Sequence, residues 1–208
     1  MQKTFLHVGC GTKNKLHTTA GFRAADWAEI RLDIDPQARP DIVGSMTDMA
    51  AVADASCDAV FSSHNIEHLN AHEVPLALGE FLRVLKPGGY AVITCPDLQS
   101  ICALVAQDRL LQPAYTSPAG PISPLDMLYG LRSALARGNH FMAHRCGFTA
   151  SVLSSTLRNS GFAATATARR PAPFFDLWAV AAKLPAQEAQ LRQWTATHFP
   201  GAAPPARQ

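Results

Sequence analysis

The 208-residue sequence predicts an α/β fold: a doubly wound, mostly parallel sheet with an antiparallel C-terminal strand pair. Three observations carry that prediction. Short, nearly continuous apolar runs recur along the chain, as strands buried on both faces require. Helical periodicity separates two of them, which is how parallel strands are joined. The last part of the chain instead holds two strand-like runs around a proline-containing loop, the pattern of an antiparallel hairpin.

Residues 4–9 (TFLHVG) read as the first strand, and it ends in glycine. Residues 29–34 (EIRLDI) read as the second and are stopped by Asp35-Pro36. Residues 41–43 are a third, very short run, and 57–62 (CDAVFS) and 90–95 (YAVITC) are the fourth and fifth. Between the last two, a helix is predicted near 72–86, because Val74, Leu78, Phe81, Leu82 and Leu85 share one face. Glu73, Glu80, Arg83 and Lys86 lie off that stripe; Pro87 cannot continue the helix, and Gly88-Gly89 permit the turn into the next strand. A second helix opens at Ser123-Pro124-Leu125-Asp126, a capping serine followed by a first-position proline, and its stripe Leu128, Leu131, Leu135 runs to Gly138. A third starts at Thr149, carries Val152, Leu153 and Leu157 and closes at Gly161. Residues 162–169 and 177–183 form the hairpin around Arg170-Pro171-Ala172-Pro173, and 186–197 form a last helix. Residues 1–199 are expected to be one domain, with 200–208 a disordered tail.

Composition narrows the classes. The chain is 48% hydrophobic and 16% charged with a net charge of +2, the balance of an ordinary globular domain. The basic residues are scattered, so no nucleic-acid stripe is evident. The odd number of cysteines (Cys10, Cys57, Cys95, Cys102, Cys146) contains no C-x-x-C pair, which argues against a disulfide framework and for a reducing compartment. No apolar leader and no run long enough to span a bilayer occur, so a cytoplasmic protein without membrane segments is expected.

The first chemical signal is Val8-Gly9-Cys10-Gly11 at the end of the first strand. Glycine there lets the backbone turn tightly and approach a ligand without a Cβ in the way. Asp33, 22 positions after Gly11 at the end of the second strand, stands where a carboxylate accepts hydrogen bonds from ribose hydroxyls. Together they point to a nucleoside-type ligand. A dinucleotide site asks for a third glycine three residues after Gly11; the residue there is Asn14, flanked by Lys13 and Lys15, which argues against NAD. A second pattern, His64-Asn65-Ile66-Glu67-His68, matches the H-x-x-E-H of one zinc protease group. It directly follows a strand, where the chain should turn rather than form the helix such a site needs, so no metal is expected.

In order along the chain come the glycine loop, the Asp33 strand end, Cys57-Asp58-Ala59-Val60-Phe61, Ile66-Glu67-His68-Leu69 and Phe81-Leu82-Arg83-Val84-Leu85-Lys86-Pro87-Gly88-Gly89. These motifs resemble the class I S-adenosylmethionine-dependent methyltransferases of the small type 11-like group, over about residues 4–97. The resemblance implies a Rossmann-like fold with S-adenosylmethionine as cofactor. It implies that Gly9, Cys10 and Gly11 line the methionine part, that Asp33 holds the ribose, and that Ile34 packs on adenine. It places Ser45 and Met46 beside the adenine ring, with Ser45 where the family often has aspartate. Ser63 and His64 fall at the mouth of the site. The stretch between Gly11 and Glu29 is short for the usual first helix, so the cofactor carboxylate is open to help from Lys13 or Lys15.

Methyl transfer asks for alignment of nucleophile, methyl and sulfur more than for side-chain chemistry. Where the acceptor must lose a proton, His64, Glu67 and His68, or His140 and His144, are the candidate groups, since imidazole titrates near neutrality. His64 and His68 are read as catalytic candidates, with Glu67, His140, His144, Tyr129 and Arg132 facing the substrate; an orienting role for Glu67 and His68, and a lid contact for His140 and His144, stand as alternatives. Residues 108–148 follow the fifth strand on the sheet edge where open α/β folds bind ligands, and are read as the substrate-side cover. His7, inside a strand, reads as a satisfied core histidine, Phe22 and Trp27 as core, and Cys10 as filler whose backbone alone matters. The chain is read as a methyltransferase acting on a small molecule or a modest acceptor, while the alternative is a non-catalytic relative that binds cofactor or a protein partner. The sequence does not specify an oligomeric state.

Overall fold

The apolar alternation Phe5, Leu6, His7, Val8 sends residues to both sides of a central strand, and both sides are covered. A computed structural model describes residues 2–170 and 173–201. The parallel strands β1 (Lys3–Val8), β2 (Trp27–Asp33), β3 (Ile42–Val43), β4 (Cys57–Ser63) and β5 (Leu85–Pro96) pair with β8 (Ala164–Arg169) and β9 (Asp176–Ala182) in the order β3-β2-β1-β4-β5-β9-β8. β9 runs antiparallel to both β5 and β8. The sequence-predicted sheet is therefore present, and all five parallel strands end at one edge.

On one face, α1 (Val74–Val84) and α5 (Ala150–Asn159) bring Val74, Leu78, Phe81, Leu153 and Leu157 onto Leu6, Val8 and Leu32. Thr149 caps α5 by accepting from the Val152 N–H, as its position promised. The polar side of α1 also has work. Glu80 accepts from the Met49 N–H at 2.6 Å, and Arg83 donates to the Met49 and Val52 carbonyls at 2.8 Å each, so both residues pin the link between β3 and β4.

The helix expected to reach Lys86 stops at Val84. Leu85 already pairs with Cys57, and pairing resumes only at Tyr90 opposite Ala59. Lys86-Pro87-Gly88-Gly89 is thus a bulge, with Gly88 at φ +80° and Lys86 Nζ 2.8 Å from Asp58.

On the other face no helix follows β1. Asn14 caps a single 3₁₀ turn, Lys15–His17, by accepting from the Leu16 N–H at 3.1 Å. The open face is covered by α6 (Glu188–His198), which brings Leu191 and Trp194 against Phe5, Phe22, Trp27 and Tyr90. His198 locks this contact: Nδ1 lies 2.6 Å from Thr19 Oγ1 and Nε2 lies 2.9 Å from Tyr90 Oη. Phe22 and Trp27 are core, as expected.

The segment after β5 departs most from expectation. It holds α2 (Leu98–Val105), the hairpin β6 (Tyr115–Ser117) and β7 (Gly120–Ile122), and two short helices, α3 (Pro124–Tyr129) and α4 (Arg132–Ala136). Ser123 and Asp126 form a reciprocal cap on α3. The single helix expected to run to Gly138 breaks at Gly130, where φ is +97° and a Cβ would lie 2.0 Å from the Met142 carbonyl oxygen. Ile101, Ile122 and Met127 give this cover a small core of its own, with Leu104, Leu131 and Phe175 packed against it. Of the expected tail 200–208, residues 202–208 lie outside the described residues, as do residues 171 and 172 of the hairpin loop. Among the described residues no helix is long and apolar enough to cross a membrane.

Candidate active site

The ends of β1, β2 and β4 place the predicted residues along one edge. Gly9 and Gly11 both adopt positive φ, +62° and +53°. They differ in what surrounds them. A Cβ on Gly9 would meet Asn65 Oδ1 at 2.1 Å, so the protein itself fills that space. Asn65 is a bracket between strand ends: its Nδ2 donates to the Val8 carbonyl at 2.9 Å and the Ser63 carbonyl at 3.1 Å. Nothing lies within 4 Å of a Cβ built on Gly11. The open part of the bend is therefore at Gly11.

Asp33 sits beside it. One carboxylate oxygen accepts from the Gly11 N–H at 2.7 Å and the other from the Asp35 N–H at 2.8 Å. Each oxygen keeps a further lone pair. Ile34, the next residue, is 47% exposed although apolar. Arg31, within β2, clamps this corner. Its guanidinium donates to the Gly11 carbonyl at 2.7 Å, Lys13 at 2.9 Å and Arg39 at 2.8 Å, tying the glycine loop to the turn after β2. Cys10 is buried, and burial pushes its thiol up to about 11, in keeping with a backbone-only role.

Several expected contacts are already committed elsewhere. Lys15 Nζ donates to the Ala24 carbonyl at 2.9 Å and the Trp27 carbonyl at 2.5 Å, which leaves Lys13 as the exposed cation near the loop. Ser45 Oγ bonds Thr47 Oγ1 at 2.7 Å within its own turn, and Met46 packs against the core. Ser63 Oγ lies 2.9 Å from Thr94 Oγ1. His7 Nδ1 is 2.7 Å from Glu29, and burial lowers its pKa, so it is a satisfied core histidine.

After β4 the chain turns at His64, a non-glycine residue at φ +56° whose side chain is 48% exposed. Ile66–His68 then form one 3₁₀ turn rather than a helix, so the H-x-x-E-H pattern does not build the protease arrangement. The cover folds back onto this turn: the Arg145 N–H donates to the Glu67 carbonyl at 2.8 Å, and His68 Nδ1 lies 3.1 Å from the Ala143 carbonyl. His144 joins it, its ring centroid 4.9 Å from that of His68, with Nδ1 2.8 Å from the Met127 carbonyl. Glu67 is 1% exposed beneath them. Burial, the strongest influence on it, works to raise its carboxyl. His64, 3.5 Å away, together with His68 and His144 outweighs burial and holds the group below the usual glutamate range. Burial in turn lowers the His144 imidazole.

Of the other substrate-side candidates, Tyr129 meets this cluster through its carbonyl, which accepts from the His144 N–H at 3.2 Å. Arg132 is engaged by Asp126 at 2.8 Å, which it holds well below the usual carboxylate range despite burial. Tyr129 is 62% exposed, and His140 is exposed on its own 3₁₀ turn. Two surface pockets, about 460 and 320 Å3, open at the opposite edge of the sheet around Gly88, Gly89 and Trp194, away from these residues.

A parallel sheet closed by an antiparallel strand pair, with a glycine bend and a carboxylate at adjoining strand ends, defines a class I methyltransferase fold. Residues 6–93 match the family model described as a methyltransferase domain, which supports a class I S-adenosylmethionine-dependent methyltransferase. A demethylmenaquinone methyltransferase from Renibacterium salmoninarum is 38% identical over 90 residues, 41% of this chain. The match spans 37% of that curated relative. Among solved structures, a SAM-dependent methyltransferase from Methanosarcina mazei superposes with a TM-score of 0.58 at 17% identity, covering 89% of this chain and 94% of the other. A Burkholderia thailandensis 1,6-didemethyltoxoflavin-N1-methyltransferase, solved with its substrate and S-adenosylhomocysteine, gives 0.54 at 16% identity over 88% and 72%. At such identities these two likenesses establish the fold.

Proposed function

We propose that the protein transfers a methyl group from S-adenosylmethionine to a small-molecule acceptor. The observation that carries this reading is the pairing of an unfilled Gly11 bend with the Asp33 carboxylate, 2.7 Å from the Gly11 N–H. These residues fit the cofactor. The bend offers room, the free Asp33 lone pairs suit ribose hydroxyls, and exposed Ile34 offers an apolar face to adenine. When bound, the cofactor supplies an activated methyl on a sulfonium. The protein's part is then to orient the acceptor and keep water out.

Ser63 and His64 end β4 beside this corner, and His64 is the group suited to take a proton from the acceptor. Its ring is half exposed, and its Nδ1 lies 3.5 Å from Glu67 Oε1. Residues 108–148, packed on an Ile101, Ile122 and Met127 core, are on this reading the substrate-side cover. A small acceptor agrees with the names of the Renibacterium and Burkholderia proteins, a demethylmenaquinone and a 1,6-didemethyltoxoflavin methyltransferase.

Titration calorimetry with S-adenosylmethionine, S-adenosylhomocysteine and NAD tests the reading. Binding of the two adenosyl compounds without NAD supports it, and labelled methyl transfer to an acceptor pool separates an enzyme from a silent relative. Absence of adenosyl binding refutes it.

A further inference from the structure

We propose that Glu67, His68 and His144 bind one divalent transition-metal ion of the zinc class. One ligand-capable atom from each lies within 4.8 Å of the others. Three features distinguish this cluster from an ordinary buried ion pair.

First, the carboxylate is under-partnered: its nearest cationic group, His64 Nδ1, stands 3.5 Å away. Among the described residues, both Glu67 oxygens are buried without a hydrogen-bond partner, a condition shared only with Thr167 Oγ1. A buried carboxylate without close hydrogen-bond donors is a place where a cation would be stabilising.

Second, both imidazoles have one ring nitrogen fixed by the backbone. His68 Nδ1 is bound to the Ala143 carbonyl at 3.1 Å and His144 Nδ1 to the Met127 carbonyl at 2.8 Å. A carbonyl only accepts, so each Nδ1 carries the hydrogen and each neutral ring keeps its lone pair on Nε2. A backbone carbonyl fixing one ring nitrogen while the other is free is the arrangement that supports metal-bound histidine.

Third, the donor set is chemically apt. Two imidazoles and a carboxylate suit zinc, iron, cobalt or nickel rather than magnesium or calcium. Tetrahedral ligands at about 2.1 Å from an ion stand about 3.4 Å apart, so the cluster needs only a modest contraction.

Three protein ligands leave one position of a tetrahedral ion for water or an acceptor oxygen, and His64 stays outside the set. The sequence predicted no metal, and this proposal departs from that expectation. The structure supplies a ligand from 76 positions beyond His68 and leaves out the pattern's first histidine. On this assignment His68 holds the ion, and its candidacy as the base passes to His64.

The proposal does not depend on the methyltransferase reading, and its test needs no cofactor. Chelator-treated full-length protein is titrated with Zn2+ and Co2+, reading stoichiometry by calorimetry, the visible bands of bound Co2+, and the thermal midpoint. One ion per chain is expected, with a dissociation constant of about 1 μM or tighter, and the midpoint should rise on addition. Glu67→Gln and His144→Gln should each weaken binding at least about 100-fold, while the exposed His72→Gln should not. Circular dichroism confirms that each variant is folded; should either ligand variant fail that control, the other carries the test. Absence of one-to-one binding in the wild-type protein overturns the proposal. So does binding that survives in a folded Glu67→Gln or His144→Gln variant.

Discussion

His198 makes the stability of this protein sensitive to acid in a way that can be measured. The ring is 3% exposed, wedged between Thr19 and Tyr90, and burial pushes its pKa down to about 4. In the unfolded chain it returns to about 6.5. Between those values the unfolded state carries a proton that the folded state lacks. Stability therefore falls as the pH drops through this window, by up to about 1.4 kcal/mol per pH unit and about 3 kcal/mol in all. His7 and His144 are also lowered by burial and add to the same trend, so a comparison is needed to isolate His198. His198→Gln keeps hydrogen-bonding groups near Thr19 and Tyr90 but does not titrate. Near pH 7 the variant should be less stable, by about 1–3 kcal/mol for imperfectly replaced bonds. That gap should close as the pH approaches about 4. Urea unfolding followed by tryptophan fluorescence reads the difference, since Trp27 and Trp194 lie in the same aromatic cluster. If wild type and variant lose stability in parallel across the window, the assigned role of His198 is wrong.

The two glycines of the bend should respond differently to alanine. Gly9→Ala combines left-handed strain with collision against Asn65 and should cost about 2–5 kcal/mol in chemical denaturation. Gly11→Ala meets open space, so only the strain of about 1–2 kcal/mol is expected, with its larger effect on S-adenosylhomocysteine affinity in calorimetry. Arg31→Leu removes the carbonyl clamp on the glycine loop; it should lower stability by about 1–3 kcal/mol and weaken S-adenosylhomocysteine binding, measured on the same samples.

What the sequence made legible were features whose causes are local. The cap at Thr149, the Ser123-Pro124 start and the glycine bend after β1 each follow from a few neighbouring residues, and each stands where expected. Asn14, read as a missing glycine, is the cap of a turn that replaces the first helix. The misreadings came from contacts distant in sequence. Gly130 breaks a helix because the Met142 carbonyl arrives against it. Asn65 fills the space over Gly9 from 56 positions away, and Arg31 reaches the Arg39 carbonyl in the turn after its own strand. Arg132 looked available but is held by Asp126. The Glu67–His68–His144 cluster exists only because the cover returns to β4, which no spacing rule in either segment announces.

The central claim is that the Gly11 bend and the Asp33 carboxylate together grip an adenosyl cofactor. Calorimetric titration of S-adenosylhomocysteine into wild type and Asp33→Asn, with unfolding curves to confirm that both are folded, tests it most directly. Loss of charge-assisted bonds worth about 1.5–3 kcal/mol predicts an affinity weaker by about ten- to a hundredfold. Equal affinity in the two proteins, or no binding by the wild type, contradicts the account.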